Sequence, residues 1–80
     1  MITIKLFAAM AEEAGKETIE MTWQEGMTTE DVKRWLAEQY PLLASRIPAA
    51  MVAVNQEFAA FANPLQDGDE VAFIPPVSGG

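Results

Sequence analysis

Only one stretch of this chain carries an apolar helical stripe long enough to cover a sheet. Thr28 is a good N-cap, Asp31 stands three residues on in the capping-box position, and Glu30 falls in the first turn. Val32, Trp35, Leu36 and Tyr40 then recur at i, i+3, i+4 and i+8, the period of one helix face. Pro41 should stop the helix, because the residue before a proline avoids the α region. A chain of 80 residues therefore has one main helix to set against its strands. One helix covers one face of a small sheet, so a doubly wound α/β fold, with helices on both faces, is excluded.

The segments around that helix alternate. Residues 2–7 place Ile2, Ile4 and Leu6 on one face and Thr3, Lys5 and Phe7 on the other. An Ala-rich stretch, 8–14, follows and is closed by Gly15 at the left-handed position that ends a helix. Residues 17–23 alternate again, with Ile19, Met21 and Trp23 against Thr18, Glu20 and Thr22. These two runs predict neighbouring antiparallel strands joined by a helical connection. Residues 42–50 read as a packed loop anchored by Leu43 and Ile47. Residues 51–54 are apolar at every position and predict an inner strand covered on both faces. Asn55-Gln56 supplies a turn, 57–62 a short edge strand, and Asn63-Pro64 and Asp67-Gly68-Asp69 further turns. Residues 70–74 form the last strand, with Val71 and Phe73 on one face. The order predicts an α+β protein with a β-grasp, ubiquitin-like architecture: a mixed sheet of four to five strands wrapped on one main helix. Residues 1–76 would be the domain and 77–80 a flexible tail.

Composition removes several functional classes. The chain has no Cys, hence no thiol nucleophile, disulfide or thiolate metal site, and no His, the commonest metal ligand and the side chain that titrates near neutrality. No metal site is expected, and neither is catalysis by this chain alone, since carboxylates or lysines with strongly shifted pKa values would have to be buried in a very small domain. A net charge of −7 and a pI near 4.2 would repel phosphates, so no nucleic acid is expected as partner. Even the longest apolar runs, such as 49–54, are far short of the ~20 residues of a membrane span, so no membrane is expected either. The opening Met-Ile-Thr-Ile-Lys has no signal-peptide pattern, which predicts a cytoplasmic protein.

The end of the sequence is Pro75-Pro76-Val77-Ser78-Gly79-Gly80. Consecutive prolines donate no backbone hydrogen bonds, so the last strand must end there and the chain leave extended. Two glycines without a Cβ can thread a channel too narrow for other residues and present a free carboxylate. Gly-Gly alone is also what a frayed terminus looks like. Its coupling to a diproline exit and a β-grasp pattern favours function.

The stretch from Pro64 to Gly80, PLQDGDEVAFIPPVSGG, resembles the C-terminal signature of the small subunit of molybdopterin synthase, the MoaD-type sulfur carriers. Ala53-Val54-Asn55-Gln56 resembles that family's hairpin and Thr3-Ile4-Lys5-Leu6-Phe7-Ala8 its opening strand, so the resemblance covers essentially the whole chain. It implies a carrier cycle. A ubiquitin-activating-type adenylyltransferase would use ATP to adenylate the Gly80 carboxylate, and a sulfur donor such as a cysteine desulfurase relay would convert it to a thiocarboxylate. The tail, with Gly79 allowing it to thread, would then enter the large subunit of molybdopterin synthase and give its sulfur to cyclic pyranopterin monophosphate. A heterotetramer with the large subunit is implied, no cofactor is held by the carrier itself, and Gly80 is the catalytic position only in the sense of carrying the reacting group.

By the same resemblance Phe7, Phe58 and Ile74 dock the large subunit, together with the stem Pro75, Pro76, Val77 and Ser78. From the residues alone, Phe7 and Ile74 fall on the face opposite Ile4, Leu6, Val71 and Phe73, where they either face a partner or cover the rim of the core. Trp35 and Tyr40 read as core and Trp23 as core edge, while turn chemistry accounts for Asp67 and Asp69. Two alternatives share the tail: a ubiquitin-like modifier that joins Gly80 to lysines, and a sulfur carrier for thiamin thiazole or tungsten-pterin synthesis.

Overall fold

β1 (Ile2–Leu6) and β5 (Glu70–Ile74) lie side by side in parallel, the first and last strands of the chain forming the middle of the sheet. In the computed structural model, which describes residues 1–76, the strand order is β2-β1-β5-β3-β4. β2 (Thr18–Met21) pairs antiparallel with β1; β3 (Met51–Val54) pairs antiparallel with β5 and with β4 (Glu57–Phe58). This is the mixed five-stranded sheet of a β-grasp fold, with one main helix, as the sequence predicts.

The short helix α1 (Ala8–Ala14) makes the β1–β2 connection, and Gly15, at φ 73°, ends it with its N–H donating to the Ala11 carbonyl at 2.9 Å. The main helix α2 (Thr29–Gln39) starts at the predicted cap. Thr28 Oγ1 accepts from the Glu30 N–H at 3.2 Å and the Asp31 carboxylate accepts from the Thr28 N–H at 2.8 Å, so donors that open the helix are satisfied locally. Val32 and Leu36 from α2 and Met10 from α1 meet Ile2, Ile4, Leu6, Ile19, Met21, Val71 and Phe73 on the inner sheet face, closed by Leu43, Ile47 and Leu65. Trp35 and Tyr40 are half-buried against this core, and Trp23 donates its indole N–H to the Leu65 carbonyl at 3.0 Å.

Three local expectations need correction. Residues 42–50 are not irregular: two 3-10 turns, Pro41–Leu43 and Ile47–Ala49, each with a proline in its opening positions, seat the buried Leu43 and Ile47. β3 is an inner strand by position, but it is not covered on both faces. Val52 and Val54 pack against the core on the inner face, whereas Met51 and Ala53 lie on the outer face, which no helix covers: Met51 is exposed there and only the small Ala53 is shielded by its neighbours. The predicted 57–62 edge strand shrinks to Glu57–Phe58. One more bond, Ala59 N–H to Val52 O at 2.9 Å, continues the pairing before the chain turns at Phe61 and Ala62. The β3–β4 turn itself is tight, with Asn55 at φ 50° and Gln56 at φ 72°, the left-handed pair that matches strand twist in a two-residue hairpin.

Candidate functional site

Side chains opposite one another across a ladder share a face, so the register assigns each residue of the outer sheet surface. Lys5 pairs with Ala72, Ala72 with Ala53, and Ala53 with Phe58, giving one row across four strands. Met51 pairs with Ile74, and the Leu6–Phe73 register carries Phe7, one residue on, beside Ile74. Phe7, Ile74, Met51 and Phe58 therefore surround two buried alanines, Ala72 and Ala53, on the face that no helix covers. Phe7 is 45% exposed, Met51 51% and Phe58 70%, while Ile74 is half-buried. Small residues at the centre and large apolar ones around them make an exposed apolar patch, bordered by the Lys5–Glu70 ion pair. Phe7 and Phe58 are thus exposed on this face, and Ile74 is half-buried on it.

The diproline stem leaves from this surface. β5 ends at Ile74, Pro75 is half-buried and Pro76 exposed. Both proline rings line a cleft with Glu13, Ser45, Arg46 and Ala49. There Arg46 Nε donates to Glu13 Oε1 at 2.6 Å, tying α1 to the loop beneath the stem. This bond holds the Glu13 carboxyl below the usual carboxylate range and raises Arg46. Val77, Ser78, Gly79 and Gly80, the stem and carrier positions read from the sequence, lie outside the described residues.

At the far end of β5 a polar network sets where the strand begins. Asp69 accepts from the Gln66 N–H at 2.8 Å and from Asn55 Nδ2 at 2.9 Å, and Asn55 Oδ1 accepts from the Glu70 N–H at 3.0 Å. Asp67 pairs with the terminal ammonium of Met1. These contacts agree with turn chemistry for Asp67 and Asp69, while Glu70 joins Lys5 at 3.5 Å across the outer face. Met51 is the surface residue that sequence reasoning missed. Its signal was present in the pairing it must make with Ile74, but an all-apolar strand reads as covered on both sides. Among the described residues no group of three or more acidic, His or Cys side chains could hold a metal ion.

A ubiquitin-like β-grasp domain, with its last central strand running out of an apolar sheet face into a diproline stem, is the class these features define. The chain belongs to the ThiS family, whose model matches residues 4–80. It is 39% identical over 82 aligned positions to the molybdopterin synthase sulfur carrier subunit of Escherichia coli (strain K12), covering 100% of both chains. It is 37% identical to small archaeal modifier protein 1 of Haloferax volcanii, covering 95% of this chain and 97% of that one. A crystal structure of that modifier superposes with a TM-score of 0.90 at 36% identity, covering 99% of this chain and 98% of the other.

Proposed function

We propose that this chain is the sulfur carrier subunit of molybdopterin synthase. The observation that carries the reading is the continuity of β5: its inner residues Val71 and Phe73 are anchored in the core, Ile74 joins the exposed apolar face, and the next residue begins the stem. A partner that covers Phe7, Met51, Phe58 and Ile74 thereby receives the tail in a fixed direction, which is the positioning an otherwise unreactive carrier needs. The family match that runs to residue 80 supports placing the reacting group there, as do the sulfur carrier relatives.

In the cycle, a ubiquitin-activating-type adenylyltransferase joins the Gly80 carboxylate to AMP from ATP, releasing pyrophosphate. Sulfide equivalents from a donor such as a cysteine desulfurase relay then form the C–S bond as AMP leaves. The large subunit of molybdopterin synthase docks on the apolar face, takes the tail, and directs the thiocarboxylate sulfur to cyclic pyranopterin monophosphate. Two such transfers build the dithiolene. The carrier supplies position and the reacting group; the acid, base and substrate pocket belong to the partner, in a heterotetramer of two large and two small subunits. The proposed location is the cytoplasm, in keeping with the absence, among the described residues, of any helix long and apolar enough to cross a membrane.

The similarity to an archaeal modifier protein favours one second reading, a ubiquitin-like modifier whose Gly80 is transferred to a lysine amine. Both readings share the adenylation and differ in the fate of the acyl group. High-resolution mass spectrometry of the C-terminal peptide, from protein made in its native host and again after incubation with the activating enzyme, ATP and a sulfur donor, separates them. Exchange of one oxygen for sulfur at Gly80 is the expected result. The peptide is needed because oxidation of any of the five methionines changes the intact mass almost equally. A branched peptide with Gly80 on lysine establishes the modifier reading, and a tail unchanged after that incubation, with no branched peptide from the native host, refutes both.

A further inference from the structure

Phe61 is the most exposed large apolar side chain among the described residues, at 83%, and neither the core nor the outer sheet face accounts for it. It stands just past the free edge of the sheet. The loop that carries it is pinned to the start of α2 by two hydrogen bonds: Thr29 N–H to Asn63 O at 2.9 Å and Asn63 N–H to Thr29 Oγ1 at 3.1 Å. Between this loop and the helix runs a groove walled by Met51 and Val52, by Phe58 and Phe61, and by Thr29 and Lys33. Met51 and Phe58 also belong to the outer face, so the apolar surface does not stop at the sheet edge but turns around β4 into the groove.

The backbone at both ends of this surface is unusual in the same way. Phe7 is followed by Ala8 at φ 51°, and Phe61 by Ala62 at φ 56°. An L-residue with a Cβ is strained in the left-handed region, a conformation glycine would adopt freely. Such conformations persist only where the surroundings impose them, and they concentrate where a chain grips a ligand. Ala62 lies between the exposed Phe61 ring and Asn63, whose two hydrogen bonds to Thr29 fix the chain on its far side.

We propose that the docking surface for the large subunit wraps around the β4 edge, with Phe61 as its far anchor and an apolar side chain of that subunit seated between Phe61 and α2. This rests on the carrier reading above. Two observations select an apolar side chain of that partner as the occupant. The groove is continuous with the face the partner covers. Its one cation, Lys33, is already paired with Glu30 at 3.1 Å and so offers no free charge for an acidic group. An aromatic side chain packed against a partner's apolar side chain in a desolvated groove is the kind of contact that carries interface energy.

The test is calorimetric titration of the full-length chain into the molybdopterin synthase large subunit of the same host, comparing Phe61→Ser, Phe61→Leu, Phe58→Ser and Leu42→Ser. Leu42, 71% exposed on the Pro41–Leu43 turn, is an equally apolar residue outside the groove. Phe61→Ser should weaken binding by about tenfold or more, Phe61→Leu by less than about threefold, and Leu42→Ser not at all. Thermal midpoints should be the same for all three, since these side chains are exposed. Binding by Phe61→Ser within about twofold of the unaltered chain, with Phe58→Ser weakened, overturns the extension and leaves the carrier reading standing. No binding by the unaltered chain overturns both. Sedimentation that finds a dimer of the unaltered chain, dissolved by Phe61→Ser, overturns the proposal in favour of a second copy as occupant.

Discussion

Replacing Phe73 and Ile74 one at a time should separate stability from partner binding on a single strand. Phe73 is fully buried beneath α2, at 0% exposure, in the central strand of the sheet. Truncating a buried Phe to Ala costs about 3–5 kcal/mol, through lost transfer energy and the cavity left behind. A domain of 80 residues has on the order of 5 kcal/mol in total, so Phe73→Ala should leave the chain at or near the edge of folding. Ile74 is only half-buried on the opposite face, and its truncation should cost about 1 kcal/mol of stability. Urea denaturation followed by Trp23 and Trp35 fluorescence reads both. With a slope of about 1 kcal/mol per molar, Phe73→Ala should lower the midpoint by about 3 M or more and Ile74→Ala by about 1 M. Titration with the large subunit should show the reverse order for whatever folded protein remains, with Ile74→Ala binding more weakly. A Phe73→Ala midpoint within about 0.5 M of the unaltered chain would refute the packing argument. An Ile74→Ala chain as unstable as Phe73→Ala would place Ile74 in the core and remove it from the docking face.

Gly80→Ala, or one residue added after Gly80, should leave the urea midpoint unchanged and abolish sulfur transfer in a reconstituted assay; normal pterin product from either variant would sink the tail mechanism. Phe7→Glu should weaken binding to the large subunit by about tenfold or more without unfolding the domain, as read by titration and circular dichroism, because it sets a charge into an apolar contact. Asp31 is held below its ordinary value of 3.8 by the Thr28 N–H first and the Arg34 guanidinium second. Its folded value is thus lower than its unfolded one, so its stabilisation is complete above about pH 4 and is lost as pH falls through the folded value. Asp31→Asn should remove that part of the acid sensitivity, and acid unfolding profiles that coincide for the two chains would refute it. Thr28→Ala should lower stability by about 0.5–2 kcal/mol through the missing cap, measured as a urea midpoint shift.

The docking face shows why some of the site was legible before the fold and some was not. Phe7 and Ile74 could be placed opposite the core from alternation alone, because a strand's period of two assigns every side chain once one face is known to be buried. Met51 could not. Its neighbours Val52, Ala53 and Val54 are all apolar, and a run without polar punctuation carries no phase. Only the pairing of Met51 with Ile74 and of Ala53 with Ala72 assigns them to the open face. Phe61 was read as part of an edge strand, and the strand ended sooner. A left-handed Ala62 leaves no trace in composition, and the Thr29–Asn63 contact next to it joins residues 34 positions apart.

The sequence by itself determined the parts of this protein that local chemistry controls. The capping box at Thr28 and Asp31, the stop at Pro41, the left-handed Gly15 and the diproline exit each work through atoms a few residues apart, so their residues announce them. One amphipathic stripe among alternating runs was enough to require a single helix on a single sheet. The tertiary structure alone decided which strands meet, above all the parallel pairing of β1 with β5, whose register is set by burying Ile4 and Leu6 beside Val71 and Phe73. That pairing brings Phe7, at the start of the chain, against Ile74, near its end. A surface assembled from residues so far apart exists only after the core has closed, because nothing but the shared burial of their neighbours holds them together.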